Sequence, residues 1–199
     1  SFKHLIKAHG NVGTISTIKR FGNRALLIND NKSYIEIPNN NDFFFDTRAF
    51  TIEFWVNTFV GNEDATFLST SYPGNTEGWK IISKRGGSGR IRMIANGVDI
   101  VKTVTNIINP GVWHHIAVTR DEAGVTRLYY DGNMKSSSSA IYDITNAMAN
   151  PLTIGKDLAN PNITFNGVID DVRITTGIAR YTHERFNLPV YPYPDLDAA

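Results

Sequence analysis

Apolar and polar residues alternate along most of this chain in short runs, each closed by Gly, Asn, Asp or Pro. A period of two marks strands with one face buried and the other turned away from the core. The clearest run spans residues 50–58, where Phe50, Ile52, Phe54 and Val56 share one face and Thr51, Glu53, Trp55 and Asn57 the other. The even-numbered face is predicted to be core. Leu26 and Ile28, then Ile35 and Ile37, alternate on either side of the turn-rich residues 29–33 and read as a hairpin. Residues 79–83 and 91–95 read as a second hairpin around a Gly-rich tip, Asn96-Gly97 is a strong turn signal, and a strand over 98–105 follows. His114, Ile116 and Val118 alternate with Trp113, His115, Ala117 and Thr119, the loop 121–124 leads to a strand ending at Asp131-Gly132, and short strands are predicted over 152–155 and 166–175. Only residues 143–149 suit a helical turn.

Such a pattern predicts an all-β fold, and no linker or internal repeat divides it. The expectation is one domain over residues 1–199, with its core at about 25–180 and a tail, 181–199, whose Pro189, Pro192 and Pro194 keep it extended over the surface. Residues 59–78, 84–90, 135–140 and 157–163 are predicted loops; polar stretches of that kind in a compact domain are often functional.

Composition narrows the chemistry. The 199 residues hold no cysteine, which removes disulfide frameworks, thiol catalysis and zinc-thiolate sites together. A formal net charge of +1 argues against duplex nucleic acid as a global partner, and no apolar run is long enough to cross a membrane as a helix. The 20 Asn and 16 Gly fit a fold rich in turns.

Five strings then occur in order: Phe50-Thr51-Ile52-Glu53-Phe54-Trp55-Val56, Trp113-His114-His115-Ile116-Ala117-Val118-Thr119-Arg120, Leu128-Tyr129-Tyr130-Asp131-Gly132, Leu152-Thr153-Ile154-Gly155 and Gly167-Val168-Ile169-Asp170-Asp171-Val172-Arg173-Ile174. Together they resemble laminin-G-like (pentraxin-like) domains of the concanavalin A-like lectin/glucanase superfamily. The flanks, Asn41-Asp42-Phe43-Phe44-Phe45-Asp46-Thr47-Arg48-Ala49-Phe50 and Gly177-Ile178-Ala179-Arg180-Tyr181-Thr182 with Phe186 and a Pro-Tyr tail, are similar to such modules of bacteriophage virion proteins. The resemblance implies a jelly-roll sandwich of two antiparallel sheets, located in a virion or secreted by a bacterium. Its implied partners are a cell-surface glycan, other virion subunits or a second copy of the chain, with no nucleic acid and no membrane insertion.

The superfamily's retaining glucanases need two carboxylates about 5 Å apart on one strand face. No run such as Glu-x-Asp-x-x-Glu occurs, so no enzyme activity is expected. His114-His115 face opposite sides of a strand and suit packing and a hydrogen bond better than one metal ion. Asp170 shares parity with Val172 and Ile174 and so is expected to face the core, where it needs a partner such as Arg120 or backbone N–H groups. The alternative is a calcium site in which Asp170 or Asp171 joins carbonyls of the Asp30-Asn31 turn. Either both faces are covered near residues 169–172 or a bulge intervenes there.

Residues 80–92 carry Lys80, Lys84, Arg85, Arg90 and Arg92 with no acid. A solvated face explains them, and so does contact with an anionic polysaccharide through Lys84, Arg85 and Arg90. Tyr72, Trp79, Tyr129 and Tyr142 are the rings not assigned to the core and are candidates for stacking on sugar; Trp55 and Trp113 lie off the predicted core face. The reading is a non-catalytic recognition module of a virion, with a structural decoration domain or an accessory carbohydrate-binding module of a bacterial enzyme as alternatives.

Overall fold

The computed structural model describes residues 4–59, 64–74, 77–84, 90–104, 108–144 and 150–194. Fourteen strands form two antiparallel sheets of seven: β1 (Lys7–His9), β2 (Gly13–Ile15), β3 (Ala25–Ile28), β4 (Tyr34–Ile37), β5 (Phe50–Thr58), β6 (Ala65–Ser69), β7 (Trp79–Lys84), β8 (Arg90–Ala95), β9 (Val98–Lys102), β10 (His114–Arg120), β11 (Thr126–Tyr130), β12 (Asn133–Ser138), β13 (Leu152–Ile154) and β14 (Gly167–Thr176). One sheet, here A, has the order β1-β4-β13-β6-β7-β8-β9, and the other, B, has β12-β11-β10-β5-β14-β3-β2. A single 3₁₀ turn, Asn41–Phe43, is the one helical element among the described residues, and its Asn40 side chain caps the Asp42 N–H.

The alternation read from the sequence builds the core. Phe50, Ile52, Phe54 and Val56 of β5 all point inward and are fully buried, meeting Phe67, Trp79, Ile81, Ile91 and Met93 from sheet A. Phe45 stacks on Phe50 at 4.3 Å, and Phe54 tilts against Phe67 at 5.6 Å. Arg120, at the end of β10, is also buried, and its guanidinium donates to the carbonyls of Phe45, Asp46, Arg48 and Tyr142. Burial pushes its pKa down, as the low-dielectric setting disfavours the cation.

Several expectations are corrected. Residues 29–33 do not close a hairpin: β3 pairs with β2 and β14 in sheet B, while β4 pairs with β1 and β13 in sheet A, so the turn crosses between sheets. Short apolar runs carry no record of which neighbour they pair with. The serine-rich segment 135–140 falls largely within β12, paired with β11, because Asp131-Gly132, both at positive φ, forms a tight hairpin turn before it. Strands β1 and β2 lie outside the expected core range, and the possible helical turn at 143–149 falls mostly outside the described residues.

Asp170 does not face the core. A bulge between Asp170 and Arg173 inserts one residue opposite β5, with Asp171 at φ +51°. Parity reverses there: Ile169 faces inward before the bulge, Val172 and Ile174 after it, and Asp170, opposite Trp55, faces outward.

Candidate functional site

A sandwich offers ligands two outer sheet faces and two loop rims. The outer face of sheet B carries Glu53, Trp55, His115 and Tyr129, and each is at most 2% exposed. The covering layer is the chain itself. Thr51 and Thr119 donate to the carbonyls of Ile178 and Tyr181, Tyr129 donates to that of His183, and the Phe186 N–H donates to the Gly132 carbonyl. The tail expected to run extended thus packs as a strap, residues 177–194. Tyr181 and Phe186 stack within it at 3.6 Å, with Tyr129 edge-on to both.

Glu53 is the polar centre of this layer. Arg173 reaches its Oε1 at 2.6 and 2.8 Å, and the hydroxyls of Tyr181 and Tyr193 donate to its Oε2 at 2.7 and 2.8 Å. His115 Nε2 lies 2.9 Å from the Tyr193 hydroxyl and 3.4 Å from Glu53. Burial alone pushes this carboxyl up and is the largest single influence; hydrogen bonds from His115 and Tyr181 and the Arg173 charge outweigh it together and hold it at about 2. The two tyrosines are pushed up by burial and by Glu53. A carboxylate ionised, fully hydrogen-bonded and closed off from solvent is a structural anchor, with no open position for a substrate.

Asp170 and Asp171 hold the two flanks onto this face. Asp170 Oδ2 accepts from the N–H groups of Arg20 and Phe21 at 2.9 and 3.1 Å, which places Arg20 over Trp55 at 4.0 Å. Asp171 accepts from the Tyr193 N–H at 3.0 Å, next to Arg173 stacked on the Tyr193 ring at 3.7 Å. Backbone N–H groups, not Arg120, are thus the partners of Asp170. The calcium arrangement does not fit. Asp30 closes its own turn by accepting from the N–H groups of Lys32 and Ser33, and the Asn31 carbonyl accepts from Lys156. The register aligns Ile28 with Gly167 and Leu26 with Ile169, so the 30–31 turn and the 170–171 pair run in opposite directions from that contact. Among the described residues no group of three His, Cys, Asp or Glu is placed to hold a metal ion.

The outer face of sheet A is different in kind. On β7 and β8, Trp79, Ile81, Ile91 and Met93 turn inward, so Lys80, Lys84, Arg90 and Arg92 turn outward. Lys84 lies directly across from Arg90, and Arg92 directly across from Lys102 of β9. Asp99 contacts Arg92 and Lys102 at 3.4 and 3.1 Å, and buried Asp157 pairs with Lys80 at 2.7 Å. At the other side of the sheet, Tyr34 stacks on His9 at 4.3 Å, Lys156 sits 5.4 Å from the Tyr34 ring centre, and Glu36 is flanked by Lys7 and His9. Burial, then the nearby charges of Glu36 and Tyr72, pushes the Tyr34 phenol up.

Sequence reasoning placed some of these groups and missed others. Lys84 and Arg90 share the open face, and Arg85 lies outside the described residues. Tyr72 is exposed beside Tyr34. Trp79 is not a stacking platform: it is fully buried, its Nε1 donates to the Phe43 carbonyl and its ring packs on Phe45. Tyr129 is sealed beneath the strap, and Tyr142 is half-buried against the core. Trp55 is buried on the outer face of sheet B, and His114 pairs with Asp131 at 2.8 Å in the turn after β11. His9, Tyr34, Glu36 and Lys156 were not anticipated, although the alternation that sent Ile35 and Ile37 inward also sends Tyr34 and Glu36 outward. The described parts of the predicted loops divide: Phe59, Asp64, Lys84, Arg90 and residues 157–163 lie towards one rim, where β5 and β7 end, and residues 70–74 and 77–78 towards the other, while residues 60–63, 75–76 and 85–89 lie outside the described residues. That other rim also holds an open depression of about 500 Å³ floored by Ala49, Ala123 and Ile178 beside Asp121 and Glu122.

Comparison with known proteins agrees with this architecture. The Laminin_G_3 family model, described as the concanavalin A-like lectin/glucanases superfamily, matches residues 29–179. A rat protein, "Sushi, von Willebrand factor type A, EGF and pentraxin domain-containing protein 1" (Rattus norvegicus), is 32% identical over 82 residues, 41% of this chain and 2% of its own length. Among solved structures, domain 4 of AbnA, an extracellular arabinanase from Geobacillus stearothermophilus solved with arabinotriose, is similar with a TM-score of 0.68 and 19% identity, over 88% of this chain and 83% of that one. The botulinum neurotoxin serotype G binding domain is similar with a TM-score of 0.63 and 20% identity, over 89% of this chain and 44% of that one. At such identities the structural likenesses establish the fold alone. With two seven-stranded antiparallel sheets, inward-facing alternate residues and a family model covering three quarters of its length, the chain belongs to the concanavalin A-like lectin/glucanases superfamily as a laminin-G-like domain.

Proposed function

We propose that this protein is a non-catalytic recognition module that binds a carbohydrate or another surface polymer. The observation that carries the reading is the asymmetry of the two outer faces. On sheet B the carboxylate best placed for chemistry, Glu53, is closed over and fully bonded, whereas on sheet A only the central positions Thr66, Ser69, Ile82 and Thr153 are buried, and the flanking strands keep Lys7, His9, Tyr34 and Glu36 on one side and Arg92, Asp99 and Lys102 on the other at least partly exposed. Solved structures of similar fold, an arabinanase domain complexed with arabinotriose and the receptor binding domain of a botulinum neurotoxin, support the same reading by analogy of fold. The similarity of residues 41–50 and 177–186 to virion modules supports a place on a bacteriophage particle, on its tail or capsid surface. A glycan array together with a whole-cell binding assay tests the module: retention on at least one glycan class is expected, and no retention on any glycan or cell at several protein concentrations overturns the reading. Mass spectrometry of purified particles from the source genome tests the virion placement.

A second reading, a decoration or assembly domain, is favoured by one feature of the strap. Val190 and Tyr191 are 71% and 78% exposed between segments that are held down. Light scattering that shows a defined oligomer, lost in Val190→Ser/Tyr191→Ser, would support assembly.

A further inference from the structure

We propose that this module takes one sugar ring of a neutral polysaccharide at the β1–β4 end of the outer face of sheet A, between Glu36 and Tyr72. The inference rests on the recognition reading above and names its site and ligand class. Ile35 and Ile37 turn toward the core, so Tyr34 and Glu36 turn outward, and the register sets His9 opposite Tyr34 and Lys7 opposite Glu36. His9 stacks on the Tyr34 ring at 4.3 Å, and Lys156, which donates to the Asn31 carbonyl, lies 5.4 Å from the centre of the same ring. Tyr34 is thereby fixed as a hydroxyl held in place. The carboxylate beside it is differently filled from Glu53. Glu53 accepts at 2.6–2.8 Å, the range of strong charge-assisted bonds, whereas Glu36 has Lys7 at 3.4 Å and His9 at 3.2 Å. Those two partners are themselves 52% and 37% exposed, so Glu36, at 19%, keeps accepting capacity toward the surface.

Tyr72 supplies the ring. It follows β6, is 43% exposed and packs on no other ring among the described residues. Between β4 and β6 runs β13, whose outward residue opposite Glu36 is Thr153, small, buried and with its hydroxyl already donated to the Ser69 carbonyl. The surface between Glu36 and Tyr72 is therefore low and makes few demands of its own. The chemistry of its edges identifies the occupant. A sugar ring joins an apolar C–H face to a rim of hydroxyls that both donate and accept. An exposed phenol ring packs against the first, and a carboxylate with free lone pairs accepts from two neighbouring hydroxyls of the second, with the Tyr34 hydroxyl and Lys7 beside it. An acidic polymer would set its own carboxylates against Glu36, which favours a neutral chain. Contacts of this kind are short in range and depend little on salt.

The test measures binding of the full chain, of Tyr72→Ala and of Glu36→Gln to the neutral polymers dextran and arabinan and to the acidic polymer alginate, at about 50 and 300 mM salt. The expected result is binding to dextran or arabinan that changes less than about twofold with salt and weakens about tenfold or more in each variant, with the melting temperature of Tyr72→Ala unchanged. Wild-type binding by either variant overturns the site and leaves the recognition module standing. A melting temperature that falls together with binding in Tyr72→Ala makes that ring structural and overturns the site as well. Binding to alginate alone, lost at the higher salt, overturns the neutral ligand class. Absence of binding to all three polymers overturns this inference, and the glycan array then decides the recognition reading by itself.

Discussion

The two outer faces of this sandwich solve opposite problems. Sheet B turns Glu53, His115 and Arg173 outward, buries the first two under the strap and leaves Arg173 partly exposed, with Glu53 and Arg173 each other's partners. Sheet A turns Lys84, Arg90, Arg92 and Lys102 outward and leaves like charges opposite each other. The first arrangement gives stability and rigidity. The second costs a little stability through repulsion between the opposed cations. The face with the more enzyme-like residues is therefore the structural one, and the plainer face is the candidate for function.

The comparison can be broken most severely at the strap. Ending the chain after Gly177 uncovers Trp55, His115 and Tyr129 and removes both tyrosine hydroxyls from Glu53. Burying one large side chain contributes roughly 1.5–3 kcal/mol, so losing the cover over several is expected to remove more than ~5 kcal/mol, enough to abolish cooperative unfolding. Urea denaturation followed by near-UV circular dichroism reads this directly. A truncated chain with an unchanged midpoint would mean that the strap rests on the face without supporting it.

Glu53→Gln is expected to cost about 3–5 kcal/mol, because it leaves the Arg173 cation without its anion while both tyrosines still donate. A pH series sharpens the same point. The Glu53 carboxyl stands near 2 when folded, below its ordinary value of 4.5. A depressed folded pKa gives stability that is present above the unfolded value and is lost as pH falls through the folded one. The wild type is therefore expected to lose about 3 kcal/mol between pH 5 and pH 2, and Glu53→Gln to lack that part of the slope. Equal slopes in both proteins would show that Glu53 is not the anchor.

Legibility in the sequence followed the same division. Inward faces were readable because alternation reports burial directly: Phe50, Ile52, Phe54 and Val56 are all core. The strap was only half legible. Its prolines signalled an extended chain, but nothing local records that Tyr181 and Tyr193 reach a glutamate more than a hundred residues earlier. The bulge at Asp170-Asp171 was visible as a break in alternation; which face each carboxylate took depended on Asp171 at positive φ, a backbone choice no composition fixes. Trp79 misled because its place beside a flexible-looking loop hid an inward orientation. For sheet A the basic run was readable, while its arrangement as opposed pairs required the register.

Asp170→Ala tests a smaller part of the structural face. It leaves the N–H groups of Arg20 and Phe21 without their acceptor and frees the segment that places Arg20 over Trp55. A loss of about 1–3 kcal/mol is expected, visible as a lower urea midpoint with faster hydrogen exchange at Arg20 and Phe21. Unchanged exchange at both amides would dissolve the link between the bulge and the N-terminal flank.

The smallest expected effect lies on the other face and carries the most weight for the comparison. Lys84→Gln together with Arg90→Gln removes one opposed cation pair from an open sheet surface. If repulsion between the two cations dominates at this position, stability should change by no more than about 0.5 kcal/mol, with any change a gain from relieved repulsion. Repulsion between exposed charges is screened by salt, so that gain should be larger at about 20 mM than at 200 mM salt. Urea titrations at both ionic strengths measure it. A loss of stability that persists at high salt would make Lys84 and Arg90 structural like Arg173, and the contrast between the face sealed by the strap and the partly exposed one would no longer separate structure from function.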